Sequence, residues 1–384
     1  MNGSQCTVIE NVRIFDGASV TSETRTVVLS DGLISDEGAD EAAGTDVADR
    51  VDGAGGVLLP GLIDAHVHID TRTDLEKCVR AGITTVVDMA TRDLQSLDKL
   101  RNLPGLPGLV RAGLPASAPG GVHTKKMGFD RSTAVDGPED ADRFVADRVQ
   151  DGCDFIKLIV EDPKMPGTAA LTPESIAALV AAGHRAGLKV VAHVVTTAAA
   201  KLAADGGVDA LTHAPVNRAL TAEETADLAA RGVVLIPTLT MMRDTTAAIA
   251  GKIPFRVLRG LRIAPPVEFS HSRQSVVEAY AAGMTILAGT DANNEGGAPA
   301  HPQHGVSLHY ELAFLVNAGL TPAEAITAAT AGPAAFFGLH DRGAVAPGKR
   351  ADLVLLAEDP TEDIHAVRHI GAVWVGGMRV DLEE

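Results

Sequence analysis

Aromatic side chains are scarce in this chain: 9 Phe, 2 Tyr and 1 Trp make up 3% of its 384 residues. So few rings make a base-stacking surface or an aromatic protein-docking face hard to build. Cysteine is rarer still, and Cys6, Cys78 and Cys153 are odd in number, far apart and without a CxxC spacing. That argues against a disulfide framework or a thiolate zinc site and points to a reducing cytoplasm. Positive charge is also short, with 33 Lys and Arg against 50 Asp and Glu and a net charge of −17. Phosphate backbones and anionic membranes are therefore disfavoured as partners. No apolar run approaches the ~20 residues of a spanning helix, and Met1–Glu10 has no basic stretch followed by an apolar one. The expectation is a soluble, unexported chain acting on a small molecule, with neither nucleic acid nor membrane as partner.

What is present is an ordinary globular balance, 46% hydrophobic and 22% charged. At ~150 residues per domain the length allows two to three domains, or one large α/β barrel with an appendage. Short β-prone pieces (CTVIENVRIF, TRTVVLS) open the chain, broken by Asp16-Gly17, Asp31-Gly32 and Asp52-Gly53, each a hairpin signal. The closing stretch has the same texture, with Pro347-Gly348 before ADLVLLA and AVWVGGMRV. The two ends are expected to pair into one small β-sandwich, residues 1–58 with residues 343–384.

Between them, apolar strand runs alternate with helical stretches: LIDAHVHI, TTVVDM, FIKLIV, LKVVAHVV, DALTHA, VVLIPTL and MTILAGTDA. Continuous apolar strands with helix-length crossovers imply a parallel sheet, and the repeated unit over residues 59–342 predicts an α/β (β/α)8 TIM barrel. Helix starts are marked at Thr172-Pro173-Glu174 and at Thr321-Pro322-Ala323-Glu324, each with an N-cap, a proline at the first position and an acid in the first turn.

The chemistry-bearing residues recur at the ends of these strands. His66 and His68 lie two apart, so on a strand both imidazoles point to one face. Lys157, His193, His213 and Asp291 each close a later run. The C-terminal ends of barrel strands converge on one pit, so residues far apart in sequence can bind one ion. Taken singly, His193 or His213 reads as a buried histidine hydrogen-bonded to backbone; taken together, the set reads as a metal centre. Lys157 on an apolar strand is costly. It is either paired with Glu161 or Asp162, or carboxylated by carbon dioxide to a carbamate able to bridge two metals.

At these residues the chain resembles the metal-dependent amidohydrolase superfamily, and is most similar to its imidazolonepropionase-like branch of carboxylated-lysine prolidases, ochratoxin-type amidases and phenylurea hydrolases. The resemblance is carried by Leu59-Pro60-Gly61-Leu62-Ile63-Asp64-Ala65-His66-Val67-His68, Ala81-Gly82-Ile83-Thr84-Thr85-Val86, Ile156-Lys157-Leu158, Ala192-His193 and Thr212-His213. It continues through Pro237-Thr238-Leu239, Gly289-Thr290-Asp291-Ala292, the run Gly319–Thr330 and Gly348-Lys349-Arg350-Ala351-Asp352-Leu353-Val354. It implies two divalent ions, zinc by default. His66, His68 and Asp291 would hold the first and His193 and His213 the second, with carboxylated Lys157 and a hydroxide bridging. Asp291 would act as general base and then acid in the hydrolysis of an amide-type C–N bond in an N-acyl amino acid, dipeptide, aryl amide, urea or carbamate.

Gly120-Gly121-Val122-His123 resembles an element of this branch that approaches the substrate, and reads equally as a Gly-rich turn. His301 and His304 read as rim residues, His304 as a second substrate contact, while His184, His340, His365 and His369 read as structural or surface. The chain departs from the branch at Thr212-His213-Ala214-Pro215, where Glu-His-Gly is usual, so a partner of His213 is expected to be missing. It shows no Arg or Tyr cluster dedicated to a substrate carboxylate; Arg218, Arg243 and Lys125 are the candidates. A mononuclear deaminase or decarboxylase of a small ring is the alternative chemistry, and a non-catalytic scaffold fits least because every ligand position is kept. Specificity is expected in the loops at 112–137, 240–271 and 291–305, and a homo-oligomer is compatible with the branch.

Overall fold

The computed structural model describes residues 6–36, 47–121, 129, 131–164, 169–250 and 267–382. The chain opens with β1 (Cys6–Ile14), β2 (Arg25–Ser30), β3 (Leu33–Ile34), β4 (Val47–Asp52) and β5 (Val57–Pro60). Strands alternating with helices follow: β6 (Leu62–Val67), β7 (Ile83–Asp88), β8 (Gly108–Arg111), β9 (Ile156–Ile159), β10 (Val190–His193), β11 (Ala210–Thr212) and β12 (Val234–Ile236). The chain closes with β13 (Leu353–Leu356), β14 (Ile370–Val375) and β15 (Met378–Arg379).

Both ends enter one eight-stranded sheet, ordered β15-β14-β13-β5-β1-β2-β3 with β4 beside β1. The seam is β5, parallel to β1 at Arg13↔Val57 and antiparallel to β13 from Leu353↔Pro60 to Leu356↔Val57. Ile9, Leu29, Leu58, Leu353 and Trp374 are buried in one apolar cluster that draws on both ends. Asp31 (φ 51°) and Gly32 (φ 80°) form the two-residue turn between β2 and β3, with the paired left-handed residues that a primed hairpin turn requires. Asp16-Gly17 also turns the chain back, closed by the Phe15↔Val20 bridge and by the Asp16 carboxylate accepting from the Ala18 and Ser19 amides. Asp52-Gly53 does not make a hairpin. It joins β4 to β5, which both run parallel to β1, so the chain steps along one strand instead of reversing.

The strands of the middle segment are parallel, in a three-stranded sheet β6-β7-β8 and a four-stranded sheet β12-β11-β10-β9. Their near-continuous apolar sequences follow from burial on both faces: every residue of β7 and of β9 is buried. The bridge Ala116↔Leu158 links the two sheets on one side. On the other, the expected strand MTILAGTDA is reduced to the bridges Leu235↔Ile286 and Val67↔Ala292. Two local features account for the loss of regularity. A Cβ on Gly289 would lie 2.9 Å from the His66 backbone, and Asp291 takes a left-handed φ of 57°. The segment thus gives up ladder pairing to press against His66.

The marked helix starts are realised. The Thr172 hydroxyl caps the helix Pro173–Arg185 by accepting from the Ser175 amide, and Thr321 with Glu324 forms a reciprocal capping box on Pro322–Thr327. Cys6, Cys78 and Cys153 are buried free thiols. Among the described residues no helix is long and apolar enough to cross a membrane.

Candidate metal centre

The C-terminal ends of β6 and β9–β11, together with the segment ending at Asp291, meet at a cavity of about 330 Å³. His66, His68, Lys157, His193, His213 and Asp291 all line it. The alternation of β6 puts His66 and the next-but-one residue His68 on the same side. His193 closes β10, and His213 directly follows β11. The left-handed φ values of His213 (73°), Thr238 (47°) and Asp291 (57°) concentrate costly backbone at this place. Hydrogen bonds from His213 N to Ile236 O (2.9 Å) and from Asp291 N to His66 O (2.7 Å) hold two of those turns.

Asp291 Oδ1 lies 3.3 Å from His66 Nε2 and 3.1 Å from His68 Nε2, and its Oδ2 lies 4.0 Å from His213 Nε2. Donor atoms of His66, His68 and Asp291 fall within 4.8 Å of one another. The His213 ring centroid is 5.0 Å from that of His66 and 4.6 Å from that of His193. The imidazoles of His66, His68 and His213 are anchored from behind. His66 Nδ1 meets Thr212 Oγ1, His68 Nδ1 donates to Ala90 O (2.9 Å), and His213 Nδ1 meets Thr238 Oγ1 (2.7 Å). Such rear contacts fix the tautomer and the ring plane of a ligand. They also correct the expectation that His213 lacks a partner: Thr238 supplies it, while Thr212, standing where an acid is usual, serves His66.

Burial pushes His66 down to about 3 and His213 well below the ordinary histidine range, so both rings are neutral near pH 7. His68 differs. Burial works against its charge, yet Glu295, Asp291 and Asp88 outweigh it and raise the ring to about 10. Burial also opposes ionisation of Asp291, but the surrounding imidazoles, His66 first, hold it well below the usual carboxylate range. Lys157 is 2% exposed, and its Nζ has no hydrogen-bond partner among the described residues. Neither the Glu161 nor the Asp162 pairing forms; Asp162 instead accepts from Thr196 Oγ1. Burial lowers the Lys157 amine to about 7.

Further side chains hold the site in shape. Asp64 accepts from Thr290 Oγ1 (2.7 Å) and Thr290 N (3.0 Å), tying β6 to the segment that bears Asp291. Glu311, fully buried in the helix Val306–Asn317, accepts from Leu239 N (2.8 Å), Thr240 N (2.7 Å) and Thr240 Oγ1 (2.9 Å). It thereby pins the start of the helix Leu239–Ala250 directly after Thr238, the residue that orients His213. A single acid in the apolar run HYELAFLV is the signal that could have marked it.

His304 lies behind the cavity wall. Its Nε2 donates to His68 O (2.9 Å) and its Nδ1 is 3.4 Å from Asp74, so one nitrogen supports the His68 backbone and the other faces an acid. His301 contacts Asn293 Oδ1 (3.0 Å). Arg218 pairs with Glu224 (2.7 Å) and Arg243 with Asp244 (2.7 Å), and neither reaches the cavity lining. His184 is on the surface with Asp209 (2.9 Å). His123 and Lys125 lie outside the described residues.

Residues 57–380 match the model of the Amidohydrolase family. A protein of uncharacterised function from Mycobacterium tuberculosis is 27% identical over 91% of this chain and 90% of its own length. An adenine deaminase from Lysinibacillus sphaericus is 25% identical over 97% of this chain and 57% of its own length. An imidazolonepropionase from Deinococcus deserti is 39% identical over 26% of this chain and 24% of its own length. The crystal structure of a Xaa-Pro dipeptidase superposes with a TM-score of 0.81 at 24% identity, covering 98% of this chain and 100% of that one. With the match spanning most of the chain, the protein belongs to the amidohydrolase family and is an enzyme acting on carbon–nitrogen bonds.

Proposed function

We propose that the protein is a divalent-metal-dependent hydrolase that cleaves an amide-type C–N bond. His66, His68 and Asp291 would hold one ion and His193 and His213 a second, with Lys157, carboxylated on Nζ, shared between them. The observation that carries this is Lys157: a buried amine with no hydrogen-bond partner among the described residues, in the same cavity as four imidazoles and the Asp291 carboxylate. The donor set fits cations of the zinc type, since His66 and His213 are neutral and therefore available as ligands. His68 keeps a proton at the spot where three carboxylates converge, which is where a cation would relieve their charge. When bound, such ions activate a water near neutral pH and polarise a carbonyl.

The remaining chemistry falls to the chain. At about 7 the Lys157 amine is in part unprotonated at neutral pH; its nitrogen lone pair bonds to the carbon of carbon dioxide and an N–H proton is released, leaving a carbamate anion. Asp291, ionised under the same conditions, accepts the proton of the attacking water on a carboxylate oxygen and delivers it to the departing nitrogen. Thr212, Thr238 and Ala90 keep the imidazole planes fixed while this happens.

We read the two parallel sheets and the bridging segment at 286–292 as a complete (β/α)8 barrel over residues 59–342. Residues 1–58 and 343–384 would form the appended β-sandwich. A second reading, a mononuclear deaminase of a small ring, is favoured by the adenine deaminase relative. Hydrolysis of aryl amides, ureas, carbamates and N-acyl amino acids by zinc-reconstituted protein, with and without bicarbonate, tests the first reading. Release of ammonia from ring amines by protein holding one ion per chain, with Lys157→Ala still active, would support the second instead.

A further inference from the structure

We infer that His304 is a positioning residue for metal binding: through the backbone of His68 it sets where that imidazole stands, and Asp74 holds it in place to do so. The inference rests on the reading of His68 and Asp291 as ligands of one ion, and names what fixes their spacing. His68 lies one residue beyond the end of β6, the strand that carries His66. Its main-chain groups are taken by the loop at 291–305. His68 N donates to Ala292 O (2.9 Å), and His304 Nε2 donates to His68 O (2.9 Å). The two contacts come from opposite ends of the loop, so the His68 backbone is gripped between them.

The same loop carries Asp291 and is closed on itself. Buried Asn293 donates from Nδ2 to Asp291 O (2.7 Å) and accepts on Oδ1 from Glu295 N (3.1 Å), while its own N–H donates to Pro302 O (3.3 Å). A loop closed in this way moves as one piece, which makes the 3.1 Å between His68 Nε2 and Asp291 Oδ1 a property of the loop. Asp74 anchors that piece to the helix Arg72–Arg80. Its Oδ2 accepts from Thr71 N (2.9 Å) and Thr71 Oγ1 (2.9 Å) in a capping box, while its Oδ1 accepts from Asn294 Nδ2 (3.1 Å) and faces His304 Nδ1 at 3.4 Å. One carboxylate thus reaches both the start and the end of the loop. The side chains of His304 and Asp74 are 2% and 3% exposed, so water does not compete for either contact. The seat is also tight, for a Cβ on Gly305 would lie 2.4 Å from Lys77 O of the same helix. Supporting contacts of this kind strengthen a ligand set because less freedom is lost when the ion arrives.

Zinc affinity of the folded chain is the readout, since a residue that only packs would not move it. Metal-free protein is titrated with zinc against a chromophoric chelator, and cobalt(II)-substituted protein is compared by its visible absorption. His304→Gln keeps an amide N–H near the Nε2 position and is expected to hold zinc nearly as well as the wild type. His304→Asn, whose shorter side chain can meet Asp74 but not reach His68 O, is expected to weaken one ion by about 10–100-fold and to shift the cobalt spectrum. Its kcat/KM is expected to fall at limiting zinc and to recover in excess. Asn294→Ala, which removes one tether of the loop and leaves His304 in place, is expected to weaken the same ion by a smaller factor. Equal loss in the Gln and Asn variants, or unchanged affinity and spectrum in His304→Asn, would overturn the role of His304. If His304→Asn does not fold, unchanged affinity in Asn294→Ala overturns it instead. Wild-type protein that binds no zinc would overturn the reading of His68 and Asp291 as ligands, and this inference with it.

Discussion

Trp374 and Lys157 are buried to nearly the same degree, 0% and 2% exposed, in surroundings of opposite character. Trp374 sits in the sheet made by the chain ends, packed with Ile9, Leu58 and Leu353. Lys157 sits in the pit with four histidines and Asp291. In the first region burial removes hydrocarbon from water, at about 25 cal/mol per Å², and stabilises the fold. In the second it strips water from charged groups, shifts their proton affinities and holds three residues in left-handed backbone, all of which cost stability. The contrast shows that this molecule separates the residues that hold it together from those that make it react. Four substitutions probe that separation, from the largest effect to the smallest.

Asp291→Asn keeps the shape of the side chain and removes its proton acceptor. Steady-state kinetics should show a loss of about 10³-fold or more in kcat/KM, while the thermal midpoint moves by only a few degrees; a wholesale loss of fold would mean that the pit is structural after all. Trp374→Ala should do the reverse. Denaturant titration should report a loss of about 3–5 kcal/mol, with kcat per folded molecule unchanged. Glu311→Gln falls between the two regions, because the side chain is buried like a core residue yet acts through Thr238 on His213. A drop of about 10–100-fold in metal affinity or turnover is expected, read by competition with a chelator, and an unchanged affinity would assign Glu311 to packing alone. Arg218→Ala, on the exposed Glu224 pair, should change stability by no more than about 0.5 kcal/mol and leave kcat/KM intact.

The two regions were also unequally legible. The apolar runs of β6, β7 and β9–β12 announce buried parallel strands because both faces are covered, and the proposed ligand residues could be collected from those strands because the parallel arrangement brings them to one pit. The Met284–Ala292 stretch reads as a strand from its composition, but close packing of Gly289 on His66 and the turn at Asp291 break the ladder, and such a tertiary approach leaves no trace in local pattern. Asp52-Gly53 misleads for a similar reason: a dipeptide suited to a reversal is used for a sidestep along β1. Thr238 and Glu311 were hidden because their roles depend on partners 25 and 71–72 residues away, which no spacing rule reaches. His304 was read from its nearness to Asp291 in sequence, and in space the same nearness places it behind His68.

The central claim is that Lys157 is a ligand shared by two ions, and metal content of matched proteins tests it most directly. Wild-type protein and Lys157→Ala, each reconstituted with zinc in bicarbonate and freed of loose metal, are compared by elemental analysis of the folded chain. The account predicts two ions per chain in the wild type, at most one in the variant, and loss of C–N hydrolysis along with the missing ion. Two ions per chain in Lys157→Ala with hydrolysis undiminished would contradict it.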